Sequence, residues 1–344
     1  MNYLSQLEPN SVMTIKTLRL LVLFLLTGWQ GVWGDATLDA PAPPIAESGQ
    51  SAADPAEILK KMQAAPPRGL FYKITKNGRT AYLFGTIHVG TADFFPLDMA
   101  TTQALVQSSE LVVELDPTQT DKMQVGMQRY AVISPSQREN ARLPTALQQR
   151  LQVQAVALKM SPEMGSTFKP WMCALSLVIG SLQKEGFYSE YASDIYLVGL
   201  ARGLKKPIAE LESIDSQLQL FDTLPRKAQL AFLDETLTLL ERGQLQADTQ
   251  KLIDAWLTND APMLLKLSLK SLSENPQSAK WMKQKLFSER NQRMTQKIDQ
   301  MLNSGRSPFV AVGALHLTGE DGLPALLKQR GYRITNLYPE SRPK

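Results

Sequence analysis

Apolar and polar positions divide this chain into two strand-bearing ends around a long helical middle. Leu70 to Thr75 and Ala81 to Gly85 are short apolar runs separated by Lys76-Asn77-Gly78-Arg79, and Asn-Gly between two such runs predicts a tight hairpin. Met99 to Ser108 has helical spacing, and Leu111-Val112-Val113-Glu114-Leu115-Asp116, stopped by Pro117, predicts a strand. From Asp121 to Leu200, Met, Leu and Val recur at helical intervals, with breaks at Ser134-Pro135, Ser161-Pro162 and Lys169-Pro170. A helix over Asp194 to Gly203 feeds Lys206-Pro207 and a short strand, Ile208 to Glu212. A second helical block, Ser213 to Ser304, is broken at Pro225, Pro262 and Pro276, and ends in an amphipathic helix from about Trp281 to Leu302. Strand Phe309 to Val312, a helix Leu323 to Arg330 stopped by Gly331, and strand Tyr332 to Leu337 close the chain. Strands at both ends with helices between them predict an α/β fold, a mixed central sheet carrying helical insertions.

The amino-terminal part has a different composition. Lys16 and Arg19 precede the apolar run Leu20 to Leu26, and Val32-Trp33-Gly34 supplies a cleavage region, so residues 1–34 read as a signal peptide whose start is Met1 or Met13. The run is broken by Thr27-Gly28 and falls short of the roughly 20 apolar residues of a membrane span. No cysteine follows it, which excludes a lipoprotein anchor. Residues 35–65 read as a flexible tether rich in Ala, Pro and Ser. Residues 66–339 then make one α/β domain, and 340–344 a tail. The expected location is periplasmic or secreted, with no stable membrane span once the leader is removed. A formal net charge of +4 without a clustered basic stripe argues against nucleic acid as a partner. Cys173 is the single cysteine, so no internal disulfide forms, and it reads as a small core residue.

Against this background the two histidines stand out. Each ends the same phrase, an apolar strand running into Gly-x-x-His: Gly85-Thr86-Ile87-His88 and Gly313-Ala314-Leu315-His316. The glycine permits a sharp bend or the close approach of another backbone, and it presents the imidazole at the strand's carboxyl end, where α/β sheets bind ligands. One such histidine is as readily a structural residue as a ligand. Two copies, with no other histidine in the chain, favour a functional pair, because neutral imidazole is a common metal ligand and general base. Glu114 shares a strand face with Val112, and a carboxylate on a buried face needs a charge partner or a metal, unless the strand has already ended there. Glu212 likewise closes a short strand, with Glu210 on the same side, and one of these two belongs to the surface. Asn291 occupies the stripe of Phe287, Met294, Ile298 and Met301 where leucine would be expected. Arg290 beside it offers a fork for a carboxylate or an oxyanion, or the pair merely ties the helix to a loop. Zincin, nucleophile-elbow, phosphate-loop and cysteine-cluster signatures are all missing.

Taken together, Tyr82-Leu83-Phe84-Gly85-Thr86-Ile87-His88-Val89-Gly90, the Val112 to Asp116 strand, Lys206 to Glu212, Glu289-Arg290-Asn291 and Val312 to His316 resemble the TraB/GumN family, which includes the TIKI metalloproteases. The resemblance implies an erythromycin-esterase/TIKI-like fold and one site made of His88, His316, Glu114, Glu212, Arg290 and Asn291. Asp194 matches a family aspartate that usually follows glycine, whereas Ser193 precedes it here. The expectation is therefore an exported metal-dependent hydrolase, a TIKI-like peptidase acting on a peptide or small-molecule substrate. The cofactor would be a divalent metal, manganese or cobalt, with zinc as the alternative. His88, His316 and Glu212 are the expected metal ligands. Glu114 would be general base or ligand, and Arg290 and Asn291 would stabilise an oxyanion. The competing expectations are a non-catalytic binder of a peptide pheromone, a haem or a saccharide, and a metal-free esterase.

Overall fold

The structure is a computed structural model that describes residues 54–273 and 283–338. The expected signal peptide, most of the tether and the tail lie outside the described residues. The tether's last part differs from expectation, because Pro55–Ala64 is a helix, α1. Asp54 caps it by accepting from the Ala56 N–H at 3.0 Å, and proline at the first helical position has its φ already set for a helix.

Strands β1 (Phe71–Lys76) and β2 (Arg79–Thr86) form the expected hairpin, turned at Asn77 and Gly78 with φ of 51° and 74°. Two successive positive φ values give the turn whose twist matches the strands, and they are why Asn-Gly is needed there. β3 (Leu111–Val113), β4 (Ile208–Glu210), β5 (Phe309–Gly313) and β6 (Arg333–Asn336) complete one six-stranded sheet in the order β4-β3-β5-β2-β1-β6. The four strands β4, β3, β5 and β2 run parallel, while β1 is antiparallel to both β2 and β6. All of Leu111 to Val113 and Phe309 to Gly313 is buried, as expected for parallel strands covered on both faces.

Helix α2 (Met99–Gln107) joins β2 to β3. Between β3 and β4 come α3 (Thr120–Tyr130), α4 (Thr145–Ala157), the single turn α5 (Met164–Thr167), α6 (Pro170–Lys184) and α7 (Ser193–Gly203). Between β4 and β5 lie α8 (Ile214–Asp222), α9 (Arg226–Glu241), α10 (Gln244–Leu257), α11 (Ala261–Ser273) and α12 (Glu289–Asn303), and α13 (Leu323–Gln329) precedes β6. α6 is buried nearly all round and packs on α9, which makes it the spine of the helical part. Cys173 sits on α6, fully buried, with burial pushing its thiol up to about 12, so it is a core residue and not a nucleophile at neutral pH. The long helix expected from Trp281 is not one α-helix. Lys283–Ser288 is wound as a wider π-helix that passes into α12, and Trp281 itself lies outside the described residues.

Candidate active site at the carboxyl edge of the parallel strands

Four strands in one direction place four carboxyl ends along one edge, and each carries one of the residues expected to act. β2 and β5 are neighbours, with Gly85 opposite Val312 and Thr86 opposite Gly313, so the two Gly-x-x-His segments leave the sheet side by side. Glu114 follows β3 on the other side of β5, and Glu212 follows β4 beyond it. The Glu212 N–H donates to the Glu114 carbonyl at 2.8 Å and carries the strand pairing past the last ladder residues. The sequence separation of the two histidines is thus cancelled by one parallel pairing. Gly85 serves close approach and not a sharp bend, because a Cβ there would lie 2.9 Å from the Ala314 Cα. Its carbonyl accepts from the Trp256 indole N–H at 2.8 Å, so a residue of α10 fastens the end of β2 from which the first histidine loop leaves.

Arg290 is fully buried at the centre of the cluster. Its Nη2 donates to Glu114 Oε2 at 2.7 Å and Glu212 Oε2 at 2.5 Å, and its Nε donates to Glu212 Oε1 at 2.9 Å. Gln217 of α8 donates to Glu212 Oε2 at 3.0 Å and lies 3.5 Å from Glu114 Oε2. Burial alone would raise Glu212, but the guanidinium outweighs it and holds the carboxyl at about 2. Glu114 goes the other way. Desolvation pushes its proton affinity up, and Arg290, His88 and the Gly313 N–H, which donates to Oε1 at 2.6 Å, only partly offset that. The two carboxylates in turn hold Arg290 more firmly protonated than usual despite its burial.

His316 sits in the 3₁₀ turn Ala314–Leu317 after β5, without exposure to solvent. Asn291 Nδ2 donates to the Asp321 carbonyl at 2.7 Å, which fixes the amide orientation and turns Oδ1 toward His316 Nδ1 at 2.5 Å. An amide oxygen only accepts, so Nδ1 carries the hydrogen and Nε2 carries the lone pair. That Nε2 has no hydrogen-bond partner and lies 3.6 Å from Glu114 Oε1. Burial, with Arg290 nearby, drives the proton affinity of His316 well below its ordinary value, so two electron-rich atoms face each other. His88 is buried beside them and exerts a field on both Glu114 and His316. Its Nδ1 lies 3.2 Å from Asp194 Oδ2. Asp194 sits in the first turn of α7, where the helix dipole favours a carboxylate. Ser193 fastens this turn to the histidine loop, accepting from the Ile87 N–H and donating its own N–H to the Ile87 carbonyl, both at 2.9 Å.

All six expected site residues therefore converge, but the expected roles of three of them, Arg290, Glu212 and Asn291, do not suit the geometry. Arg290 spends its guanidinium on Glu114 and Glu212 and on the Leu286 carbonyl, so it does not present a fork to an oxyanion. Both carboxylates have both oxygens hydrogen-bonded, Glu212 to Arg290 and Gln217 and Glu114 to Arg290 and the Gly313 N–H, but only Glu114 turns an oxygen to the His316 Nε2, so Glu212 is the less suited of the two to the ligand role. Asn291 orients His316 and faces no open space. Sequence reasoning missed Gln217 and Trp256. Gln217 shares the buried face of Ile214, Leu218 and Phe221, the same signal that picked out Asn291. Trp256 looks like any core aromatic.

Among the described residues no group of three or more His, Cys, Asp or Glu comes together at metal-ligand spacing. The residues present nonetheless fit a divalent cation on two counts. The His316 Nε2 lone pair is buried, oriented by Asn291 and opposite a carboxylate oxygen. Two largely buried carboxylates, Glu114 and Glu212, share the guanidinium of Arg290, while a third, Asp194, faces the His88 imidazole, an arrangement that a second positive group would balance.

The TraB/PrgY/gumN family model matches residues 70–336, which contain every one of these side chains. The chain belongs to this family. It is 31% identical over 251 residues to proteins titled uncharacterized protein YbaP from Shigella flexneri and Escherichia coli, covering 73% of this chain and 88% of theirs. It is also 25% identical over 320 residues to a metalloprotease TIKI homolog of Nematostella vectensis, covering 78% of this chain and 67% of that one. No solved structure matches it. The two Gly-x-x-His segments of this chain leave neighbouring parallel strands. Among the described residues no helix is long and apolar enough to cross a membrane.

Proposed function

We propose that this TraB/PrgY/gumN protein is an exported, metal-dependent hydrolase that cleaves peptide or related amide bonds at the sheet edge. The observation that carries the reading is the unpartnered Nε2 of His316, aimed by Asn291 at the Glu114 carboxylate. The similarity to proteins named metalloprotease TIKI supports the same chemistry. His316 and His88 would hold the ion, with Glu114 as a further ligand or as the general base, and the ion supplies, when bound, a Lewis acid and a water of lowered pKa. Arg290 and Gln217 bridge the two glutamates through their Oε2 atoms, so that Glu114 keeps Oε1 turned toward His316. Asn291 locks the His316 tautomer and Asp194 orients the His88 ring, so both imidazoles meet the substrate pre-aligned. Glu114, whose proton affinity burial raises, is suited to take a proton from water and return it to the departing nitrogen.

The test is metal analysis of purified protein, followed by chelation, reloading with manganese, cobalt or zinc, and a peptide-library cleavage assay. Cleavage that disappears on chelation, returns on reloading and is absent in His316→Ala supports the reading. A protein that retains a peptide, haem or saccharide and turns nothing over would replace it with a binding role.

A further inference from the structure

Beside the His316 and Glu114 pair lies a small cavity that offers about 10 Å³ to the centre of a water-sized sphere. Its polar lining is Thr86, His88, Glu114, Asp194 and Gln217, and its remaining walls are apolar. Thr86 and Asp194 have no part in the roles above beyond the orientation of His88. Each nevertheless brings a buried oxygen without a partner, Thr86 Oγ1 and Asp194 Oδ1. Such orphans cost stability, and native proteins rarely keep two in one place unless something satisfies them. The volume is that of a single water, and a water needs two to four polar neighbours, which this lining supplies. The site is also rigidly built. Thr86 is paired with Gly313 across the sheet, and Asp194 follows Ser193, which is bonded twice to Ile87.

We propose that this cavity holds one water molecule, accepting from the Thr86 hydroxyl and donating to Asp194 Oδ1, and that this is the water consumed in hydrolysis. Thr86 is then a positioning residue. In the overall reaction the water's oxygen and one hydrogen end on the new carboxyl group, while its other hydrogen ends on the released nitrogen. The catalytic part of this inference rests on the hydrolase reading above, whereas the occupancy of the cavity does not.

The experiment compares Thr86→Val and Thr86→Ser with the wild-type protein. Valine has nearly the shape of threonine and removes only the hydroxyl. Were Thr86 Oγ1 truly unpartnered, valine would relieve a buried unsatisfied group and raise the melting midpoint. With a bound water, valine strands the water and Asp194 Oδ1, and the midpoint falls by a few degrees. A crystal structure that resolves ordered solvent should show one density peak in the cavity of the wild type and of Thr86→Ser, and none in Thr86→Val. On a cleaved peptide, Thr86→Val should lose at least tenfold in kcat with KM unchanged, and Thr86→Ser should retain most of its turnover. A midpoint at or above wild type, or an empty cavity in the wild type, overturns the water site. Wild-type turnover in Thr86→Val overturns its catalytic role. If the wild type cleaves no peptide, the hydrolase reading fails, yet the melting order and the density still decide whether the water is there.

Discussion

Replacing Arg290 with methionine removes the one guanidinium that holds two carboxylates at the centre of the site. Methionine fills much of the same volume and leaves Glu114 and Glu212 charged, buried and next to each other. Two routes give the cost. Losing one partner of a buried ion pair typically destabilises by about 3–5 kcal/mol. Independently, Arg290 holds Glu212 at about 2, and without it burial returns the carboxyl to at least its ordinary 4.5. At about 1.4 kcal/mol per pKa unit, that change costs about 3 kcal/mol at pH 7. Arg290→Met should therefore lose roughly 3–5 kcal/mol in urea unfolding at pH 7, followed by tryptophan fluorescence. The deficit should also shrink with acid. In the variant both carboxyls bind protons more tightly folded than unfolded, so lowering the pH from 7 to 5 neutralises them in the native state and relieves the repulsion. In the wild type the Glu212 contribution is fully present above the unfolded value of 4.5 and is lost only as pH falls toward about 2. Because Arg290 also helps to hold down the proton affinity of His316, the two proteins are compared at each pH in a His316→Gln background. Adding Glu212→Gln to Arg290→Met should recover part of the loss, the signature of direct coupling. A variant within about 1 kcal/mol of wild type at pH 7, well under the cost of a broken buried pair, or a deficit that does not change between pH 7 and 5, would refute the central clamp.

Two further outcomes follow from the histidine side of the site. Asn291→Leu should keep α12 packed but release the His316 tautomer, lowering metal affinity or turnover by about 10- to 100-fold, as loss of such an orienting partner usually does; calorimetric metal titration and peptide hydrolysis measure it, and unchanged affinity and turnover would remove Asn291 from the site. Because burial keeps His316 neutral far below its ordinary 6.5, the unfolded chain takes up a proton that the folded protein refuses, and stability should decline as pH falls below about 6.5, by up to about 1.4 kcal/mol per pH unit. His316→Gln should flatten that slope between pH 6.5 and 5 in urea midpoints, and an identical slope in both proteins would show that His316 is not the group responsible.

Local chemistry made most of the elements legible before any coordinates. Asn77-Gly78 needs two positive φ values and therefore announces the hairpin, and Leu111 to Val113 and Phe309 to Val312 are apolar enough to be strands covered on both faces. The repeated Gly-x-x-His ending, a glutamate on a strand face and an asparagine in an apolar stripe marked the side chains of the site, since each breaks the pattern around it. The roles of these residues depended on partners that no local pattern carries. Strand order is set by which apolar faces bury each other at long range, and only that order brings Glu212, Glu114, His316 and His88 along one edge. With it came the finding that Arg290 clamps two carboxylates and offers no free fork, that Asn291 holds an imidazole, and that Glu114 rather than Glu212 turns an oxygen to that imidazole. Helix type near Lys283 and the hold of Trp256 on Gly85 were likewise invisible, because an apolar aromatic looks the same in sequence whether it merely fills a core or also hydrogen-bonds the loop that carries His88. The sequence by itself determined which side chains are chemically out of place, through periodicity and burial preference. Tertiary structure alone decided what each of them faces, because the charge, desolvation and hydrogen bonding that define a role are properties of neighbours brought together from the whole length of the chain.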